Sequence, residues 1–284
     1  MKLEEVLMAK KRITELSQDE ISQTQYANKV LTDYTAKFAI PLYRRGLDGT
    51  PDPVGSGFVI SKHGRSFLIT AGHVYDSNSR ENAIFFYTGD SAVSYIEGFF
   101  KVSECVSRDE DKIDLAVVML AYDVNFDKHW AVVDSVDIVC DTFKLDDGRF
   151  VFSGYPAGRH KTNKTEKRVD FRCYSWVGGF VPECSYSNVG ATKKNNLLIK
   201  FKNKHAITVE GVGGYQFPKP DGISGGPVWV ALGKRNQRRQ LVIDEVKLAG
   251  LIIEYHPSHQ LMLATSIDRA MEYVDELYDQ YGAA

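Results

Sequence analysis

Three short motifs in this 284-residue chain contain the side-chain types that nucleophilic catalysis requires. His73 lies in the run TAGHV, Asp114 in IDLAVV and Ser224 in GISGGP. A serine hydroxyl needs a base to remove its proton, and a neutral imidazole can do so near neutral pH. A buried carboxylate that accepts from the other ring nitrogen fixes the tautomer and stabilises the imidazolium. These residues therefore predict a catalytic triad with Ser224 as nucleophile, His73 as general base and Asp114 as orienting acid.

Glycine residues surround the candidate nucleophile in GISGGP. Glycine adopts backbone conformations that other residues avoid, so these positions permit a tight turn and a close approach to substrate. We predict that the amides of Gly222 and Ser224 form an oxyanion hole, in which each donor contributes about 10²–10³ in rate. Two alternatives stay open: the triad residues have structural roles only, or the fold keeps them without activity.

Each motif borders an apolar run, which indicates the elements that must position the three side chains. From about residue 37 to 264, such runs are short, rich in Val, Ile, Phe and Tyr, and separated by turn residues. This pattern is typical of β-strands and favours a barrel or a sandwich. The runs are GFVI (57–60), SFLIT (66–70), AIFFY (83–87), LAVVML (115–120), FVFSGY (150–155), LLIKF (197–201), PVWVAL (227–232), LVI (241–243) and LAGLII (248–253).

Both ends of the chain show a helical pattern instead. Residues 1–36 carry apolar side chains near helical spacing, and a capping box at 17–20 predicts the start of a second helix there. This extension either packs on the main domain or docks a regulatory protein partner, and both interpretations stay open. A C-terminal helix is predicted from an apolar face formed by Ile267, Ala270, Met271, Val274, Leu277 and Tyr278.

In the order His, Asp, Ser, the three motifs resemble those of the chymotrypsin/trypsin-like serine peptidases. The runs GSGFVI (55–60) and SGYP (153–156) are most similar to the bacterial intracellular or HtrA-like branch. The resemblance implies an all-β fold: a chymotrypsin-like double six-stranded β-barrel with an N-terminal helical extension and a C-terminal helix. It also implies a triad in the cleft between the barrels, and Gly222 as the second oxyanion amide.

From this resemblance we expect four segments. They are a helical N-terminal extension (1–36), a first β-barrel (37–130), a second β-barrel (131–265) and a C-terminal helix (266–284).

The departures from the family bear on activation and specificity. Val74 stands where secreted members have Cys, and Ile223 stands where they have the Asp that pairs with a new N-terminus. Activation by N-terminal clipping is therefore not expected. Pro218 falls at the position of the pocket Asp of trypsin-type enzymes, so a basic substrate preference does not follow. Glu254 is either an acidic contact for substrate or a solvent-facing residue at a strand end.

Charge and cysteine usage restrict the remaining function classes. With 35 Lys+Arg against 37 Asp+Glu, the chain is not a globally basic nucleic-acid binder. The basic stretches at 159–168, 193–204 and 234–239 are interpreted as solvated loops, the alternative being a contact with nucleic acid or another acidic partner. We find no signal peptide and no membrane span, and no CxxC pair among four cysteines. Reduced thiols, a cytoplasmic location, no metal site and no cofactor are predicted.

The sequence thus predicts an intracellular trypsin-like serine endopeptidase that hydrolyses protein or peptide substrates through an acyl-enzyme. The resemblance also permits a regulated effector in a prokaryotic stress or defence system. The alternative hypothesis is a peptidase-fold binding or regulatory module with weak or absent catalysis.

Overall fold

The apolar runs of the sequence form antiparallel strands in the computed structural model of this protein. The residues that the structure describes are 28–89, 92–127, 129–139, 141, 142, 145, 149–163, 168–201, 207, 208, 218–235 and 241–282. Their strands form two large curled sheets, and few helices accompany them. The predicted all-β double-barrel architecture is confirmed.

Sheet one contains the strands that position the histidine and the acid. Its spatial order is β5-β4-β1-β2-β3-β7-β6, and the short β8 runs parallel to β2. Because β8 follows residue 130, this sheet extends beyond the predicted end of the first barrel. The bounds are β1 Ile40–Arg45, β2 Pro51–Lys62, β3 Arg65–Ala71, β4 Phe85–Tyr87, β5 Val93–Tyr95, β6 Gly98–Val102, β7 Leu115–Leu120 and β8 Val133–Asp134.

Sheet two contains the strand that follows the candidate nucleophile. Its order is β13-β17-β16-β15-β9-β12-β14, while β10 and β11 pair only with each other. The predicted runs LVI and LAGLII belong to one strand, because Glu245 and Val246 between them pair with β15 and form no turn. The bounds are β9 Arg149–Gly154, β10 Lys161–Asn163, β11 Arg168–Asp170, β12 Tyr174–Gly178, β13 Asn196–Lys200, β14 Ile207–Thr208, β15 Pro227–Arg235, β16 Leu241–His256 and β17 Leu261–Ser266.

The strand number is larger than the six per barrel that the resemblance implies. Within the described residues the two sheets contain eight and seven strands. The smallest, β8 and β14, have two residues each. One continuous apolar cluster fills both sheets and includes the fully buried Phe58, Phe67, Phe150, Phe152 and Trp229. Burial of each such side chain contributes about 1.5–3 kcal/mol to the core.

Three helices complete the described fold. Helix α1 occupies residues 28–36, helix α2 is the single turn Gly72–Tyr75, and helix α3 is Ile267–Tyr281. The rest of the predicted N-terminal extension, including its capping box, lies outside the described residues. Helix α3 buries Ile267, Ala270, Val274 and Leu277, which confirms the predicted face. None of the described helices is long and apolar enough to span a membrane. Short 3-10 turns occupy Ser135–Asp137, Ala157–Arg159, Glu183–Ser185 and Ser187–Val189.

Each terminal helix contacts the sheet that is more distant from it along the chain. Helix α1 precedes sheet one, yet Thr35 Oγ lies 3.3 Å from Ser153 Oγ in sheet two. Helix α3 follows sheet two, yet the Tyr281 ring stacks on Phe99 of sheet one with centroids 3.9 Å apart. Ion pairs from Lys62 and Lys101 to α3 reinforce this second contact. The two helices therefore tie the sheets together.

Candidate active site

The predicted acid and base are in direct contact. His73 follows the end of β3 as the second residue of α2, and Asp114 immediately precedes β7. One oxygen of the buried Asp114 carboxylate lies 2.5 Å from His73 Nδ1, and the other accepts from the His73 amide at 2.8 Å. Because an ionised carboxylate only accepts, we assign the ring proton to Nδ1, which leaves Nε2 of the neutral ring as an acceptor. This is the arrangement that a general base requires.

Asp114 holds this position with a backbone that is unusual for its residue type. Its φ is +37°, in the left-handed region that costs a non-glycine residue on the order of 1–3 kcal/mol. The Gly72 amide donates to the Asp114 carbonyl at 2.8 Å, which ties the acid to α2. From sheet two, Asn196 Nδ2 donates to the Lys112 carbonyl at 2.5 Å, and Thr265 Oγ1 donates to the Ile113 carbonyl. Residues of α2 and of sheet two thus hold the acid loop.

Ser224 lies on a turn between the two sheets. The Ser56 amide of sheet one donates to the Ser224 carbonyl at 2.8 Å, and the Gly225 amide donates to the Ile252 carbonyl of sheet two at 2.7 Å. Gly225 has a φ of +85°, and a Cβ atom placed there would lie 2.1 Å from the Ser56 carbonyl oxygen. The same Cβ would be 3.0 Å from the amide of Ala71, two residues before His73. Only glycine permits this approach, which brings the turn to the end of β3.

Two amides of this turn are available to a ligand. The Ile223 amide donates to the Pro220 carbonyl at 3.1 Å, and the Gly225 amide donates to the Ile252 carbonyl. Among the described residues, the amides of Gly222 and Ser224 have no acceptor. The φ of Gly222 is +91°, and a Cβ atom there would lie 2.7 Å from the Ala157 amide, so this position also requires glycine. The free pair coincides with the predicted oxyanion donors.

Ser56 stabilises the same turn through hydrogen bonds of its side chain, and it was not predicted as a site residue. Its buried hydroxyl donates to the Gly222 carbonyl at 2.9 Å and accepts from the Tyr155 amide at 2.9 Å. This one side chain therefore connects β2, the oxyanion segment and the chain after β9. A polar residue between two glycines at the head of an apolar strand was the available sequence signal.

The candidate nucleophile and the candidate base are close but not bonded. Ser224 Oγ donates to the Ile253 carbonyl over 3.5 Å. Within the described part of the chain, no hydrogen bond joins Ser224 to His73. A Cβ atom placed on Gly55 would be 2.6 Å from the Val74 side chain and 3.3 Å from the Ser224 carbonyl, which shows how near the two motifs lie. In ligand-free sites such catalytic hydrogen bonds are often long and shorten only with substrate.

The structure shows the surroundings of three residues that bear on activation and specificity. Ile223 is buried in the apolar core, where it makes no ion pair. Glu254 is not a free acid, because Lys112 Nζ donates to its carboxylate at 2.7 Å. A basic substrate side chain would have to compete with Lys112 for it. Pro218 is partly buried, and residues 209–217 before it lie outside the described residues.

The three cysteines that the structure describes do not contribute to the site. Cys105, Cys173 and Cys184 are free thiols, and Cys140 lies outside the described residues. Burial raises the pKa of Cys173 to about 12, so that thiol stays protonated and unreactive. In the part of the chain that the structure describes, no three His, Cys, Asp or Glu side chains are grouped as a metal site would require.

No protein-family model and no curated protein matches this chain. The case for its chemistry therefore rests on the geometry of the site.

Proposed function

We propose that this chain is a chymotrypsin-like serine endopeptidase. The observation that carries the proposal is the pairing of the buried Asp114 carboxylate with both the ring and the amide of His73. A core acid that fixes one tautomer of a half-exposed imidazole is what base catalysis needs. The position of Ser224 on a glycine turn beside two free amides supports the same function.

The proposed reaction proceeds through an acyl-enzyme. Ser224 Oγ attacks the scissile carbonyl carbon while His73 Nε2 takes its proton. The amides of Gly222 and Ser224 stabilise the oxyanion that forms. His73 then gives the proton to the leaving amine as the C–N bond breaks. Water then attacks the acyl carbon and loses a proton to His73, the bond from that carbon to Ser224 Oγ breaks, and His73 returns the proton to Oγ without a cofactor.

A reducing compartment suits this proposal. Free thiols at three described cysteines support a cytoplasmic enzyme that acts on protein or peptide substrates.

A catalytically weak binding module is the second candidate. The absence of a Ser224–His73 hydrogen bond in the described residues favours it, since the serine hydroxyl is directed to Ile253. In this case the cleft would hold a peptide without cleaving it.

Labelling by a fluorophosphonate probe tests the two candidates, because an activated serine displaces fluoride from the probe and becomes phosphonylated. We expect one adduct, mapped to Ser224 by mass spectrometry, which is lost in Ser224→Ala and His73→Ala. Ser187→Ala is the matched control, since that exposed serine only donates to the Cys184 carbonyl. Folded wild-type protein that gives no adduct, or gives it elsewhere, would contradict the peptidase and leave the binding module.

A further inference from the structure

Arg108 lies between the helix that carries His73 and the loop that carries Asp114. Its Nε and Nη2 atoms donate to both oxygens of Asp76, at 2.7 and 3.1 Å, at the C-terminal end of α2. Its Nη1 atom donates to the Asp111 carboxylate at 2.9 Å. The Arg108 side chain is 23% exposed and that of its partner Asp111 is 5% exposed, whereas the Asp76 side chain is 47% exposed.

A hydrogen-bond chain continues from Arg108 to both neighbours of the acid. Arg108 Nη1 donates to the Ser103 carbonyl at 3.0 Å, and the Ser103 hydroxyl accepts from the Leu115 amide at 3.0 Å. The Asp111 carboxylate accepts from Ser103 Oγ at 2.6 Å and from the Ile113 amide at 2.9 Å. The residues on either side of Asp114 are thereby fixed relative to one guanidinium.

The guanidinium also approaches the site itself. A Cβ atom placed on Gly72 would lie 2.9 Å from Asp114 Oδ1 and 3.0 Å from Arg108 Nη1. The cation and the acid therefore flank the residue before His73. Burial is the strongest single influence on Asp111 and raises its pKa, but hydrogen bonds from Ser103, the Asp114 and Ile113 amides, and Arg108 together lower it. Asp111 is thus a charged partner at neutral pH.

We infer that Arg108 is a positioning residue that sets the distance between His73 and Asp114 by clamping α2 to the acid loop. The inference rests on the proposed function for its consequence in catalysis. Arginine suits the task because its planar fork binds two carboxylates at once, whereas a lysine ammonium is a single point charge. Arg108 acts through Asp76 and Asp111 and contacts no reacting atom.

The test compares Arg108→Gln, Arg108→Lys and a matched control in the full chain. The control is Arg44→Gln, which removes an arginine of sheet one whose Nε donates to Asp52 at 2.8 Å. Two quantities are measured: the rate constant of fluorophosphonate labelling, and the strongly deshielded proton signal of the short His73–Asp114 hydrogen bond in the ¹H NMR spectrum. Loss of that signal in Asp114→Asn provides its assignment.

We expect Arg108→Gln to label at least about tenfold more slowly and to lose the signal, because a small misplacement of catalytic groups has a large effect on rate. Arg108→Lys should recover part of both, and Arg44→Gln should match wild type. Wild-type values for Arg108→Gln would overturn the inference. If Arg108→Gln does not fold, Asp76→Asn cuts the same link at α2 and carries the same expectation. If wild type is not labelled, the proposed function fails, and the proton signal alone decides the role of Arg108.

Discussion

At the scale of single residues, Ser56 illustrates how a side chain outside the candidate triad can shape the proposed catalytic surface. Its amide and its hydroxyl bind two carbonyls of the Ser224 turn, and its own carbonyl accepts from Thr70 Oγ1 at 2.8 Å. The Ser56 and Thr70 side chains are buried, and an unpaired polar atom in the core costs about 1–3 kcal/mol. The oxyanion amides are therefore oriented by a residue that does not face the substrate.

Ser56→Ala should impair stability and catalysis together. It leaves the Gly222 carbonyl and the Tyr155 amide without a partner, so the free energy of unfolding should fall by about 1–3 kcal/mol. Ser66→Ala is the matched control, because Ser66 is also buried and accepts from the Val124 amide at 3.1 Å. Urea unfolding should show similar losses in both variants, whereas kcat should fall only in Ser56→Ala. Equal kcat values would exclude a role for Ser56 in the oxyanion site.

At the scale of elements, α1 and the residues after it support the strand that follows the nucleophile. The Phe38 ring lies 4.7 Å and the Tyr34 ring 6.0 Å from the ring of Trp229 in β15, measured between centroids. Leu31 on the same helix is buried, while Val30 is half exposed. The described part of the N-terminal extension is therefore part of the core, which favours the packing interpretation for residues 28–36. The docking interpretation stays a prediction for the residues before them.

The pair Leu31→Ala and Val30→Ala tests this packing. Truncating the buried leucine should lower the free energy of unfolding by about 2–5 kcal/mol, because it leaves a cavity in the core. Truncating the exposed valine should change it by less than about 0.5 kcal/mol. Thermal or urea unfolding measures both. If Leu31→Ala were as stable as Val30→Ala, α1 would be a surface attachment and not a core element.

At the scale of the whole molecule, the candidate site lies on a seam between the two sheets. Polar contacts cross it at Ser56–Ser224, at Asn196–Lys112 and at the Lys112–Glu254 ion pair. The apolar core beneath these contacts is continuous. Burial of apolar side chains therefore contributes more to the association of the two sheets than the polar contacts do. Lys112 and Glu254 are 25% and 42% exposed, which limits the strength of their attraction.

A double-mutant cycle on Lys112→Ala and Glu254→Ala should give a coupling energy of about 0.2–1 kcal/mol at low salt. The value should fall toward zero as added salt screens the charges. Arg44 and Asp52 provide a reference ion pair within sheet one, at 42% and 43% exposure. A salt-independent coupling, or one well above 1 kcal/mol in urea titrations, would show that the seam depends on this pair.

How far the sequence predicts the molecule depends on the range of each interaction. Strands such as β7 and the face of α3 follow from local periodicity, and the predictions for them are confirmed. The His73–Asp114 contact could be predicted, because each of the two residues lies in a local motif that is recognisable in the sequence. Ser56 and Gly222 are 166 residues apart, and no local rule pairs a serine with a particular carbonyl at that distance. In the sequence, Arg108 is only one charged residue in a polar run, because its hydrogen-bond partners are determined when the chain folds.

The crossed packing of the terminal helices has a consequence for synthesis on the ribosome. Sheet one emerges first, but Phe99, Lys62 and Lys101 must wait for α3, which is made after both sheets. Ser224 and the turn that carries it also come from the later half of the chain. Until residue 224 is made, a nascent chain therefore contains the proposed base and acid without the proposed nucleophile. If the proposed activity holds, the order of translation itself delays it until the fold can close.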